Sequence, residues 1–213
     1  MKIEIDRNEA LRYLGCKEGG VPKDIEAMLS ECAAAIEETA NVRYVYKVFD
    51  AGEVRLMGSD VKKHLEGCFK HIILAATLGI EADNLIRRMQ VKDMARAVVL
   101  DACGSCGIES VMNRIGVMLS EEFKGENMYV RSRFSPGYGD MPLSQQKELC
   151  DLLDTQRKAG IYVTGGNALV PFKSITAITG VSHEPAAGEC AKGKCETCNM
   201  AADCMFAESN GTR

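Results

Sequence analysis

The chain has no tryptophan, and no apolar run near the roughly 20 residues that cross a bilayer, so no transmembrane helix is expected. The missing tryptophan excludes no function. The N-terminal MKIEIDRNEALRYLG carries too many charges for a signal peptide, and the expected compartment is the cytoplasm. Lysine and arginine form no stripe. Short pairs such as Lys62-Lys63 and Arg87-Arg88 read as solvated helix faces. With a net charge of -4, nucleic acid is not an expected partner, because phosphate binding needs clustered cations. There is no internal repeat and no cobalamin-binding signature. What is there, 46% hydrophobic and 26% charged residues over 213 positions, fits a globular protein with a real core. Ten cysteines in a cytoplasmic chain are not a disulfide framework. They are buried small residues, or ligands of a metal or cluster.

Alternation and helical spacing organise the chain. MKIEID alternates as a half-buried strand does. Pro22, Asp24 and Glu26 open a helix over about residues 22–40, with Ile25, Met28, Leu29, Cys32 and Ile36 as its core stripe. VRYVYKVF, Val42 to Phe49, is a strand that a turn at Asp50 to Gly52 leads into EVRLM as a hairpin. Ser59 and Asp60 cap a short helix to about Cys68. HIILAATLG, His71 to Gly79, reads as a buried strand. Helices follow over about 81–89 and 92–123, the second with Gly104 and Gly107 as points of rupture. Asn127 to Phe134 is a strand, and Ser144 caps a helix over 145–153. IYVT and KSITAITGVS are strands. This mixture lacks regular βαβ alternation. It predicts an α+β fold over residues 1–183, a mixed, largely antiparallel twisted sheet with flanking helices. Residues 184–213 make a Cys-rich tail.

Two segments carry chemistry. In RFSPGYGDMP, Arg133 offers a planar fork for a carboxylate or phosphate. Pro136 stiffens the loop, Gly137 and Gly139 admit close backbone approach, and Tyr138 adds an aromatic face and a hydroxyl. The same composition also suits an ordinary surface turn with Arg133 in an ion pair. In the tail, Cys190, Cys195, Cys198 and Cys204 form C-x4-C-x2-C-x5-C. The first three match the opening spacing of plant-type iron–sulfur sites. Four thiolates also suit a structural zinc. Cys103 and Cys106, in C-G-S-C, lie inside a helical run and read as packing residues, as do Cys16, Cys32, Cys68 and Cys150.

RFSPGYGDMPLSQQ resembles the R-x-x-x-G-Y signature of the S-adenosylmethionine-binding activation domain of cobalamin-dependent methionine synthase. DACGSCGIESVMNRIG resembles that family's helix bearing a ligand-facing glutamate, here Glu109, and LVPFKSITAITGVS its closing strand. The resemblance spans about residues 60–183, and the chain is most similar in kind to short, free-standing relatives of that domain. It departs at Gly139 to Pro142, where the family continues Pro-Ala-Cys-Pro. The resemblance implies that Arg133 pairs with the carboxylate of S-adenosylmethionine and Glu109 with its ammonium group. It implies that Gly137 lets backbone reach the nucleoside, and that Tyr138 lies near the sulfonium or the corrin face as the catalytic-side residue. The implied activity is reductive methylation of a cobalamin presented by a partner, a methionine synthase core or another corrinoid protein. That reaction needs an electron, which an iron–sulfur cluster in the tail would relay. Two other functions fit parts of the sequence: an iron–sulfur electron donor to a corrinoid protein, and a zinc-stabilised adaptor without chemistry.

Overall fold

A computed structural model describes residues 2–16, 23–125 and 127–184. Its centre is the apolar run: β2 (Lys70–Thr77) is buried at all but its first residue. A strand buried on both faces needs cover on both sides, and β2 receives it. It pairs antiparallel with β1 (Arg43–Asp50) on one side and with β6 (Ser174–Ser182) on the other. A short β3 (Tyr129–Val130) adds to β6, giving the order β1-β2-β6-β3. The predicted α+β architecture with a largely antiparallel sheet is what the chain adopts.

Alternate residues of β2 face different cores, as the two-residue period of a strand requires. Ile72, Leu74 and Ala76 meet the long helix α5 (Met94–Lys124), with α2 (Lys23–Thr39), α4 (Ile80–Lys92) and α1 (Arg7–Tyr13) beside it. Ile73 and Ala75 meet the other layer, built from α3 (Ser59–His64), α6 (Gln145–Leu153) and α7 (Thr155–Ala159). A two-stranded ribbon of β4 (Tyr162–Val163) and β5 (Leu169–Val170) leads into β6. No helix among the described residues is long and apolar enough to cross a membrane.

Several local expectations change. Residues 2–6 are not in a strand. Ile3 is buried and Ile5 N donates to Glu37 Oε1 (3.0 Å), so the apolar alternation serves an extended lead into α1, which Asp6 caps through Glu9 N (2.8 Å). EVRLM does not pair with β1. Val54 and Leu56 bury in the second core as a loop, and β1 pairs with β2 across the intervening α3. Helix α5 runs unbroken through Gly104 and Gly107 for 31 residues, about 46 Å at 1.5 Å per residue. These glycines allow close packing: a Cβ on Gly104 would lie 3.0 Å from the Lys173 stem, and one on Gly107 3.4 Å from Leu78. The strand expected over Asn127 to Phe134 shrinks to β3 plus one bridge, Phe134 to Ile178.

Candidate functional site

Along α5 the outward ridge includes Glu109 and Asn113, one turn apart on the same face. Just beyond β3, Phe134 and Ile178 exchange two backbone hydrogen bonds of 2.8 Å, which fixes the chain at the residue after Arg133. Arg133 is thereby aimed at the ridge. Its Nη2 forms an ion pair with Glu109 Oε2, and its Nη1 donates to Asn113 Oδ1 (2.7 Å). The Arg133 and Glu109 side chains are 18% and 30% exposed, so the pair is partly sheltered and still reachable. A guanidinium and a carboxylate held side by side at an accessible surface form the charge complement of a zwitterion. The sequence names both residues but not their mutual pairing.

The segment then turns sharply. Pro136 is buried, and Gly137 and Gly139 take φ of +91° and +51°, a region that favours glycine. Tyr138 N donates to Ser135 O (3.1 Å), Gly137 N to Met141 O (2.9 Å) and Met141 N to Tyr138 O (3.0 Å). Met141, 1% exposed, anchors the turn in the second core, and Tyr138 stands 62% exposed. Every residue expected to touch ligand therefore belongs to the Arg133–Tyr138 segment or the facing turn of α5.

Tyr13, at the end of α1, carries no signal in sequence that singles it out. Its hydroxyl is pushed up to about 12, first by burial and then by the negative charge of Glu109, with Glu9 and Tyr138 adding. The phenol thus lies within the electrostatic reach of Glu109 and Tyr138. Arg12 lies 5.0 Å over the Tyr13 ring. No pattern within α1 points there; only the packing of α1 on α5 does.

Burial pushes the Cys103 and Cys106 thiols up to about 12 and about 11. Both are protonated packing residues, as expected from their helical setting. Cys32, Cys68 and Cys150 are buried too, and no group of three or more metal-ligating side chains occurs among the described residues. Cys190, Cys195, Cys198 and Cys204 lie outside the described residues.

The closing segment is held from below. Asp83, buried under the β5–β6 turn, accepts from Phe172 N (2.5 Å) and Lys173 N (3.3 Å). Lys173 Nζ reaches Asp101 (2.8 Å) and Ser105 (2.9 Å), two turns and one turn before Glu109 on α5. A cleft of about 330 Å³ opens there beside Gln90 and Phe172, and another of about 690 Å³ beside Arg87, Arg88 and Val91. Neither includes Arg133, Glu109 or Tyr138. The Arg133–Glu109 pair stands apart from both clefts, at a partly exposed surface.

No family model and no curated relative matches the sequence. Among solved structures, the MetH reactivation domain bound to AdoHcy matches with a TM-score of 0.60 at 18% identity, over 83% of this chain and 70% of that one. The chain has the fold of a methionine synthase reactivation domain.

Proposed function

We propose that the chain binds S-adenosylmethionine at Arg133 and Glu109 and supports reductive methylation of a protein-bound corrinoid. The observation that carries this reading is the partly sheltered Arg133–Glu109–Asn113 cluster beside the Gly137–Tyr138 turn, on a fold whose solved neighbour is bound to AdoHcy. In the free protein Arg133 and Glu109 satisfy each other. A bound amino acid moiety substitutes for both partners at once: its carboxylate takes the guanidinium, and its ammonium takes Glu109. Asn113 then retains its bond to Arg133 and keeps the fork oriented. Gly137, without a side chain and exposed, leaves backbone open to the nucleoside, and Tyr138 borders the reactive end. The donor set fits S-adenosylmethionine, because it pairs one cation with one anion at a reachable surface.

A corrinoid held by a partner protein would supply a metal that, once reduced by one electron, could accept the methyl group, with S-adenosylhomocysteine left behind. This chain's part is to bind the donor and present its sulfonium. The tail cysteines Cys190, Cys195, Cys198 and Cys204 are proposed to hold the iron–sulfur cluster that passes the electron, with zinc as the other metal their spacing suits. Anaerobically purified protein should contain iron and sulfide and absorb in the visible. Colourless protein with bound zinc would reassign the tail to structure.

Calorimetric titration with S-adenosylmethionine tests the binding claim. Saturable binding is expected, weakened in Arg133→Ala by about 1.5–3 kcal/mol, roughly ten- to a hundredfold. A folded wild type that does not bind would end this reading.

A further inference from the structure

We propose that helix α3 is a splint for the ligand site, gripping the signature segment on both sides of Arg133 and Tyr138 and so setting ligand affinity through residues that do not touch the ligand. The inference rests on the reading of that segment as the S-adenosylmethionine site.

The grip at the N-terminus of α3 is made from some 80 residues away. Helix α3 has no side-chain cap of its own: its N-cap is Gly58. Asp140 supplies the missing acceptors. Its Oδ2 accepts from Ser59 N and Ser59 Oγ (both 2.6 Å), and its Oδ1 accepts from Asp60 N (2.9 Å). The bond is returned, because Asp140 N donates to Asp60 Oδ2 (3.1 Å). Each helix leaves its first backbone N–H groups without partners, and here a loop carboxylate satisfies two of them. Two glycines make room for the exchange. A Cβ on Gly58 would lie 2.6 Å from Asp140 Oδ1, and one on Gly139 would strike Asp60 Oδ2. The fully buried Gln145 extends the seam, accepting from Met57 N (3.0 Å) and donating to Arg55 O (2.5 Å).

At the other end of α3, His64 Nε2 donates to Ser132 O (2.7 Å), and its ring lies 5.5 Å from that of Phe134. Arg131 Nη1 donates back to His64 O (3.3 Å). The residues immediately before and after Arg133 are therefore held by the last residue of α3, and the residue two beyond Tyr138 by its first two. One short helix spans the segment.

A glycine-rich turn that is disordered before binding must be ordered at the moment of binding, which subtracts from affinity. A turn already splinted does not carry that cost. Gly139 and Asp140, which make the latch, are residues where this sequence departs from Pro-Ala-Cys-Pro.

The test compares the affinity of the full chain for S-adenosylmethionine in wild type, Asp140→Ala, Asp140→Asn and His64→Ala. Each is measured at a temperature where its own melting curve shows it folded. Asp140→Ala and His64→Ala should each weaken binding about three- to tenfold. Asp140→Asn, which keeps one acceptor oxygen, should recover part of the loss. A purely structural role would lower melting temperatures and leave the affinity of the folded protein unchanged, and that result overturns the splint. If Asp140→Ala yields no folded protein, His64→Ala decides by the same criterion. A folded wild type that does not bind overturns the site reading and the splint together. Binding by wild type with equal affinity in the variants overturns the splint alone.

Discussion

The two halves of the signature segment are held in different ways. Arg133 sits where the chain joins the sheet and faces a long helix packed into the larger core. Tyr138 sits on a glycine turn whose ties are one buried methionine and a handful of hydrogen bonds to α3. The charged half is placed by secondary structure and the aromatic half by a local latch. Outside the His64 contacts the first should tolerate change around it, and the second should fail through a few identifiable residues.

The largest effect expected is from Met141→Ala. It empties a fully buried position under the turn and should destabilise the protein by about 2–5 kcal/mol in denaturant unfolding. A cost near zero would mean that the turn is not anchored there. Gly139→Ala should cost about 1–2 kcal/mol, because its φ is positive and the added Cβ meets the Asp60 carboxylate. A smaller effect follows from pH. Hydrogen bonds from Ser59 and Asp60 hold the Asp140 carboxyl down at about 2, below its ordinary 3.8. A group depressed on folding stabilises above its unfolded value, and that contribution fades as pH falls from about 4 towards 2. Wild-type stability should therefore decline over this window, and Asp140→Asn should lack that part of the decline. The smallest stability effect belongs to Tyr138→Ala, within about 0.5 kcal/mol because the side chain is largely exposed. The same variant should weaken ligand binding measurably.

The sequence conveys the periodic parts of this molecule and little of what joins them. Helices α2, α4 and α5 follow from the spacing of apolar residues and the buried strand β2 from its continuous apolar run, while α1 is not anticipated. The partner of β1 does not, because local hairpin rules favour EVRLM, while Val54 and Leu56 find burial as a loop beside α6. The cap of α3 is invisible from Ser59 and Asp60, since its acceptor is Asp140. Glu109 is legible only through family resemblance, and Arg133 by composition only as a generic anion fork. Their direct contact, and the electrostatic influence of Glu109 on Tyr13, depend on how α1 and the post-β3 segment pack on α5. Side chains that meet across the fold leave no mark on local pattern.

The most direct measurement of the central claim is the affinity ratio between S-adenosylmethionine and its decarboxylated analogue, in wild type and in Arg133→Ala. If Arg133 holds the ligand carboxylate, the wild type should prefer the intact ligand at least about tenfold, and the preference should collapse towards one in the variant. An unchanged ratio in Arg133→Ala would contradict the account.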